Sequence, residues 1–332
     1  MPTLTELFNA LALPPESSIQ NTELSACPIP GIAHHRIAKN STGQPILLIK
    51  TLSDVEPLPP PLRLENLSVV HGVRCKIWQA GRVVEEDTFE VLICLSQEAA
   101  IRNQFLGVGV PFLNCLKASP SPQQVSHFLG MLVELFRALS QPARKSVQGL
   151  WGELFLIARA SNIETMLTSW HVDPNETCDF SNGACRIEVK CRLGRERKHH
   201  FSLEQLSPPE HAIAIVASIC TERVGGGSSI SDLLSTVRTR VAGNFALLFR
   251  LESVVAATLG ATLPRVLDDA FDHEMAQETL KFFDAVAVPK PGGNIPREVS
   301  HLQFVADLTN VQSIELGVRP DMTGLLHAVQ PA

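Results

Sequence analysis

The chain has 332 residues, 45% of them hydrophobic and 19% charged, which excludes a disordered or fibrous protein and leaves room for two domains and at least one sizeable core. A formal net charge of -6 excludes a surface coated in positive charge, but not a nucleic-acid partner, which asks only for a local basic surface. Eight cysteines (27, 75, 94, 115, 178, 185, 191 and 220) include no CxxC pair, which argues against a structural zinc. Cys185 and Cys191 read as small hydrophobes on a strand, and free thiols fit a reducing compartment. The amino terminus has neither the basic start nor the cleavage site of a signal peptide, and the apolar run Ala212 to Cys220 is too short to cross a bilayer. The expectation is a cytoplasmic protein with no membrane partner.

Residues 1–118 read as a β-rich domain. After a short amphipathic start at Leu4 to Leu11, strand-prone runs appear at Pro45 to Ile49, Leu67 to Val70, Cys75 to Trp78 and Phe89 to Leu95. Pro57 to Pro61 and Ala80-Gly81 punctuate them. His34-His35 is a tempting ligand pair, yet neighbours on a strand point to opposite faces. This region reads as a scaffold or a recognition module.

Ser119-Pro120-Ser121-Pro122 marks a boundary, and residues 119–332 form the second domain. Apolar residues at Val125, Phe128, Leu129, Leu132, Leu135, Phe136 and Leu139 predict a helix over Gln123 to Leu139. Pro142 ends it, and a second helix begins near Lys145 and carries Trp151, Leu154, Ile157 and Ala158. Strands are predicted at Arg186 to Arg192 and Ala212 to Cys220. Gly225 to Ser229 reads as a flexible turn without the Gly-Lys-Ser/Thr ending of a phosphate loop, so nucleotide binding is rejected there. Helices over Ile230 to Val241 and Pro264 to Phe283, then a strand over Leu302 to Leu308, complete an α/β domain.

The chemistry centres on Arg186-Ile187-Glu188-Val189-Lys190-Cys191-Arg192, in which polar and apolar residues alternate at every position. On a strand, Ile187, Val189 and Cys191 share one face while Arg186, Glu188, Lys190 and Arg192 share the other. A carboxylate and an ammonium then stand about 7 Å apart along the backbone. Phosphodiester hydrolysis brings a nucleophile to an anion, and hard oxygen ligands holding a cation neutralise that anion and acidify water. Glu188 offers such an oxygen, and Lys190 can orient the water and offset developing charge. Asp179 joins them if Ser181-Asn182-Gly183 turns a hairpin between two strands. Crowded carboxylates would raise one another's pKa unless a cation lay between them. Glu153, among Leu150, Trp151, Leu154 and Phe155, is either a third ligand or a half-exposed helix glutamate.

Glu-x-Lys alone is weak: one match in a chain of this length is on the order of chance. A second copy, Glu196-Arg197-Lys198, lies in the polar run Gly194 to His200, which reads as a loop. Context selects the first copy. The set then resembles the PD-(D/E)XK nuclease superfamily, and more closely the bacterial PD-(D/E)XK-motif proteins of anti-phage defence gene clusters. The residues that carry the likeness are Gly149 to Leu154, Trp170, Asp179-Phe180, Ile187 to Lys190, His200 to Leu206 and Leu302 to Leu308. Cys178 stands where the motif's name has proline, a position that varies widely.

The resemblance implies a restriction-endonuclease-like core, a central mixed sheet flanked by helices, behind the β-rich domain. It implies a Mg2+ requirement with Mn2+ as substitute, and DNA as substrate. Asp179, Glu188 and Glu153 are the expected metal ligands and Lys190 the residue that positions water. Ser202 and Gln205 form either a plain capping box or, with His200, contacts to phosphate or to the residues around the metal. Lys190, Arg192, Arg195, Arg197 and Lys198, with Arg144, Lys145 and Gln148, either line a groove for the phosphate backbone or form a solvated face. Two other readings stand beside the nuclease: a DNA-binding adaptor that no longer uses the chemistry, and a nuclease silent until a partner ATPase or other defence subunit delivers DNA. Cutting both strands would ask for two sites, and hence a homodimer.

Overall fold

The computed structural model describes residues 4–15, 22–51, 58, 60–116, 120, 122–171, 176–208, 212–292, 299, 301–316 and 324–331. They form two compact units, 1–142 with 242–264, and 143–241 with 265–332. The serines of the Ser119–Pro122 boundary lie outside the described residues, as do Pro57 and Pro59.

The first unit opens with helix α1 (Leu4–Ala10). Strands β1 (Glu23–Ile29), β2 (Ile32–Lys39), β3 (Pro45–Ile49), β4 (Leu62–Arg63), β5 (Leu67–Gln79) and β6 (Arg82–Cys94) follow, then helices α2 (Ala99–Cys115) and α3 (Pro122–Leu139). The strand order is β1-β2-β3-β6-β5-β4, and β1 also pairs parallel with β5, so five strands close into a barrel with β4 outside it. Leu24, Ile46, Leu48, Ile77, Phe89 and Val91 fill its core. Leu67 to Val70 and Cys75 to Trp78, expected as two strands, are one strand with a bulge between Val70 and Val73, where Gly72 has φ +59°. Ala80 and Gly81, with φ of +47° and +78°, make the tight reversal into β6. On β2, His34 is exposed and His35 buried, as opposite faces require.

Helix α2 was not expected, because the run Gly107, Gly109 and Pro111 in its sequence opposes helix formation locally. Helix Phe245–Leu259, also unexpected, belongs to this unit and packs against α2 and α3. Its extension to Val266 is apolar and long enough to cross a membrane, and 61% of that window is buried.

The second unit holds α4 (Val147–Arg159), α5 (Ile163–Ser169), β7 (Phe180–Ser181), β8 (Cys185–Leu193), β9 (Lys198–Ser202), β10 (Ile213–Thr221), β11 (Arg223–Ser229) and α6 (Ile230–Arg240). With Phe245–Leu259 counted as α7 and the short α8 (Leu263–Val266) shared by the two units, it continues through β12 (Ala270–Phe271), α9 (His273–Thr279), β13 (Lys281–Asp284), β14 (Gln303–Asp307) and α10 (Leu325–Ala328). A four-stranded mixed sheet runs β13-β10-β8-β7, with β8 and β10 parallel and the outer pairs antiparallel. Helix α4 lies on β8. Strands β9 and β14 form a separate antiparallel pair.

Three expectations change here. Gly225 to Ser229 is strand β11, paired with β12. Its glycines make the run look flexible, yet a Cβ on Gly227 would overlap the Phe271 carbonyl. The polar run Gly194 to His200 ends inside β9, with Lys198 and His200 exposed and His199 buried. Pro264 to Phe283 is not one helix: Asp272 caps a new helix at Met275 N, and Phe283 is buried on β13 beside β10.

Candidate active site

The hairpin at Asn182 brings the acidic residues together. Asn182 N donates to the Cys185 carbonyl, its side-chain oxygen accepts from Cys185 N at 2.9 Å, and Gly183 takes φ +88°. Phe180 pairs with Ile187 and Ser181 with Arg186, so the same register continued by one residue sets Asp179 opposite Glu188. Asp179 is held there by the Val189 N–H, which donates to its Oδ2 at 2.8 Å.

Glu153 reaches the site from α4. Ser146 caps that helix by accepting from Gly149 N, and Gly152 lets it lie tightly against β8. Glu153 is 3% exposed, so the half-exposed alternative is set aside. The indole N–H of buried Trp170 donates to its Oε2 at 2.6 Å. Trp170 belonged to the resembling set without a role of its own; a buried indole wants an acceptor, but nothing along the chain says which.

Two lysines balance the carboxylates. Lys145 Nζ donates to Glu153 Oε1 at 2.9 Å and to Asp179 Oδ1 at 2.5 Å. Lys190 Nζ lies 2.7 Å from Glu188 Oε1, 3.2 Å from Gln205 Oε1 and 5.0 Å from the centre of the Phe201 ring. Gln205 is the hinge of this group: its Nε2 donates to Glu188 Oε1 at 2.6 Å, and its Oε1 also accepts from Ser202 N at 3.0 Å. Ser202 Oγ accepts from Gln205 N at 3.4 Å, so the reciprocal capping contacts are present over a single short turn, and the Gln205 side chain also serves the site.

Burial pushes the Glu153 and Glu188 carboxyls above the ordinary range, and the neighbouring Asp179 adds to the shift, while the two lysines work against it. Burial alone would lower the Lys145 ammonium, but Asp179 and Glu153 more than offset it and hold the amine charged. Among the described residues, the buried Glu188 Oε2 has no hydrogen-bond partner.

The donors are hard oxygens, as a divalent cation prefers. The orphaned Glu188 oxygen and the ammonium already gathered by two carboxylates mark a place suited to positive charge, so the residues fit such an ion. Among the described residues no group of three or more acidic, His or Cys side chains is already arranged to hold one.

Most of the other candidates are surface or half-buried side chains. Arg144, Arg195, Lys198 and His200 are exposed and Gln148 half-buried. Arg192 donates to the Lys198 carbonyl at 2.6 Å. Arg197, expected with the groove residues, instead turns inward: it is buried and donates to Ser218 and to the Thr279 carbonyl, so it braces the fold rather than facing a phosphate backbone. Glu196, the acid of the second Glu-x-Lys copy, is exposed and forms an ion pair with Lys198. All described cysteine side chains are free thiols.

No curated protein and no solved structure matches the chain. A family model described as "Putative PD-(D/E)XK family member, (DUF4420)" matches residues 4–309. That span takes in most of both units and every residue of the carboxylate–lysine cluster, and the chain belongs to this PD-(D/E)XK family.

Proposed function

We propose that the protein is a divalent-metal-dependent nuclease that hydrolyses DNA phosphodiester bonds, with Mg2+ as its ordinary ion and Mn2+ as substitute, built on a restriction-endonuclease-like core. The observation that carries this reading is the convergence of Glu153, Asp179 and Glu188 from a helix, a hairpin and a strand, with Lys190 fixed beside Glu188. Membership of the PD-(D/E)XK family supports it, and the resemblance to defence-cluster proteins supports a role in bacterial defence.

A bound divalent ion would neutralise the phosphate and acidify a water. The chain's own residues do the rest. The Val189 N–H and the Trp170 indole aim Asp179 and Glu153, and Gln205 holds Glu188 against Lys190. The Lys190 ammonium, steadied over Phe201, orients the attacking water and balances negative charge as it grows on the phosphate. The exposed Arg144, Arg195 and Lys198 are available to the phosphate backbone.

Supercoiled plasmid incubated with Mg2+ or Mn2+ tests the assignment. Wild type should give nicked or linear DNA, while Lys190→Ala and Asp179→Ala, both still folded, should not. Undiminished cutting by either variant would refute it.

A further inference from the structure

We propose that Lys145 is a resident cation of this site: its ammonium occupies the place between Glu153 and Asp179 that a divalent ion would take, and must leave before an ion can bind. The proposal rests on the nuclease reading above and adds a residue that gates ion entry.

The hydrogen bonds divide the oxygens cleanly. Glu153 gives Oε2 to the Trp170 indole and Asp179 gives Oδ2 to the Val189 N–H, both fixed donors in the fold. Their remaining oxygens, Oε1 and Oδ1, converge on one atom, the Lys145 nitrogen, at 2.9 and 2.5 Å. Two anchored carboxylates presenting one free oxygen each to a shared point is the arrangement a hard cation needs.

The two lysines differ in how they are held. Lys190 is 17% accessible, packed over Phe201 and tied to Glu188 and Gln205. Lys145 comes from the segment before the Ser146 cap of α4, outside any helix or strand, and its side chain is 42% accessible. It can swing out without disturbing α4 or β8. With the ammonium in place, the carboxylates keep their counter-charge and tolerate burial. Ion and ammonium therefore compete for the same two oxygens, and each must weaken the other's hold.

Calorimetric titration of the full chain with Mn2+, at one pH and without DNA, tests this. Lys145→Gln should bind Mn2+ roughly 10-fold or more tightly than wild type, because no ammonium is displaced. Lys145→Arg should stay near wild type, and Asp179→Asn should lose binding. Without metal, Lys145→Gln should melt below wild type, and Mn2+ should raise its melting temperature by more than it raises wild type's. Lys145→Met, which keeps the aliphatic stem, replaces the Gln variant if that fails to fold. Equal or weaker Mn2+ binding by the uncharged variant, with Asp179-dependent binding by wild type, overturns this proposal and leaves the nuclease reading standing. No binding by any of the proteins overturns both.

Discussion

Gly152 lies so close to Cys191 that a Cβ added to the glycine would stand 2.6 Å from the cysteine Cβ. The contact is backbone-near on both sides, so no flexible side-chain tip can yield. It sets how closely α4 approaches β8, and Glu153 is the next residue along the helix. Gly152→Ala should therefore destabilise the protein by about 1–3 kcal/mol from overpacking, less the gain of about 1 kcal/mol in helix propensity. Nuclease activity should fall further than stability, because α4 carries Glu153 with it. Cys191→Ala should not rescue the variant, since the clashing Cβ remains, while Cys191→Gly should partly do so. Urea unfolding of the three proteins decides; full rescue by Cys191→Ala would contradict the packing argument.

Gln205 joins the two halves of the Glu188–Lys190 pair, accepting from the ammonium and donating to the carboxylate. Gln205→Leu keeps the side chain's size while removing both contacts and the one its Oε1 accepts from Ser202 N, leaving Glu188 with its Lys190 contact and a second oxygen that has no partner among the described residues. If Gln205 positions the pair, cleavage should fall roughly 10–100-fold with little change in the unfolding midpoint. Gln205→Glu should not rescue it, because a carboxylate cannot donate to Glu188. A midpoint drop matching the activity loss would mean the residue matters only for folding.

These relationships were unequally legible along the chain. Strict alternation from Arg186 to Arg192 set the register of β8, and Asn182-Gly183 set the turn that returns Asp179 to it, since both are local signals. The alternation said less about exposure. Glu188, on the polar face, is 5% exposed, because Gln205 and the elements around it cover that face as well. Lys145 could be read only as one basic residue among several, since its place between Glu153 and Asp179 depends on a helix and a hairpin packing in three dimensions. Helices α2 and α7 were missed for different reasons. The first carries glycines and a proline, and the second is apolar on too many sides to show a clean stripe. Gly225 to Gly227 misled because glycine serves close approach of a neighbouring strand as well as flexibility, and only the position of Phe271 separates the two.

His199 supplies a pH dependence separate from the carboxylates. It is buried on β9, with its Nε2 2.8 Å from Ser218 Oγ and its ring edge-on to Phe201. Burial drives its pKa down to about 3, helped by the positive charges of Lys190, Arg197 and Arg192 and opposed by Asp307. The folded state thus keeps the ring neutral where the unfolded chain would protonate it. Its contribution is fully present above the unfolded value near 6.5 and is lost as pH falls from there toward 3, at about 1.4 kcal/mol for each unit crossed. Glu153 and Glu188, whose pKa values are raised, act with the opposite sign, so the effect should be read as a difference between two proteins. His199→Gln keeps a polar group for Ser218 and does not titrate. Urea unfolding at pH 7.5, 6 and 5 should show wild type losing stability relative to this variant at each acid step. Parallel curves would mean that His199 is already able to take up a proton in the folded protein, and that the Ser218 contact does not depend on a neutral ring.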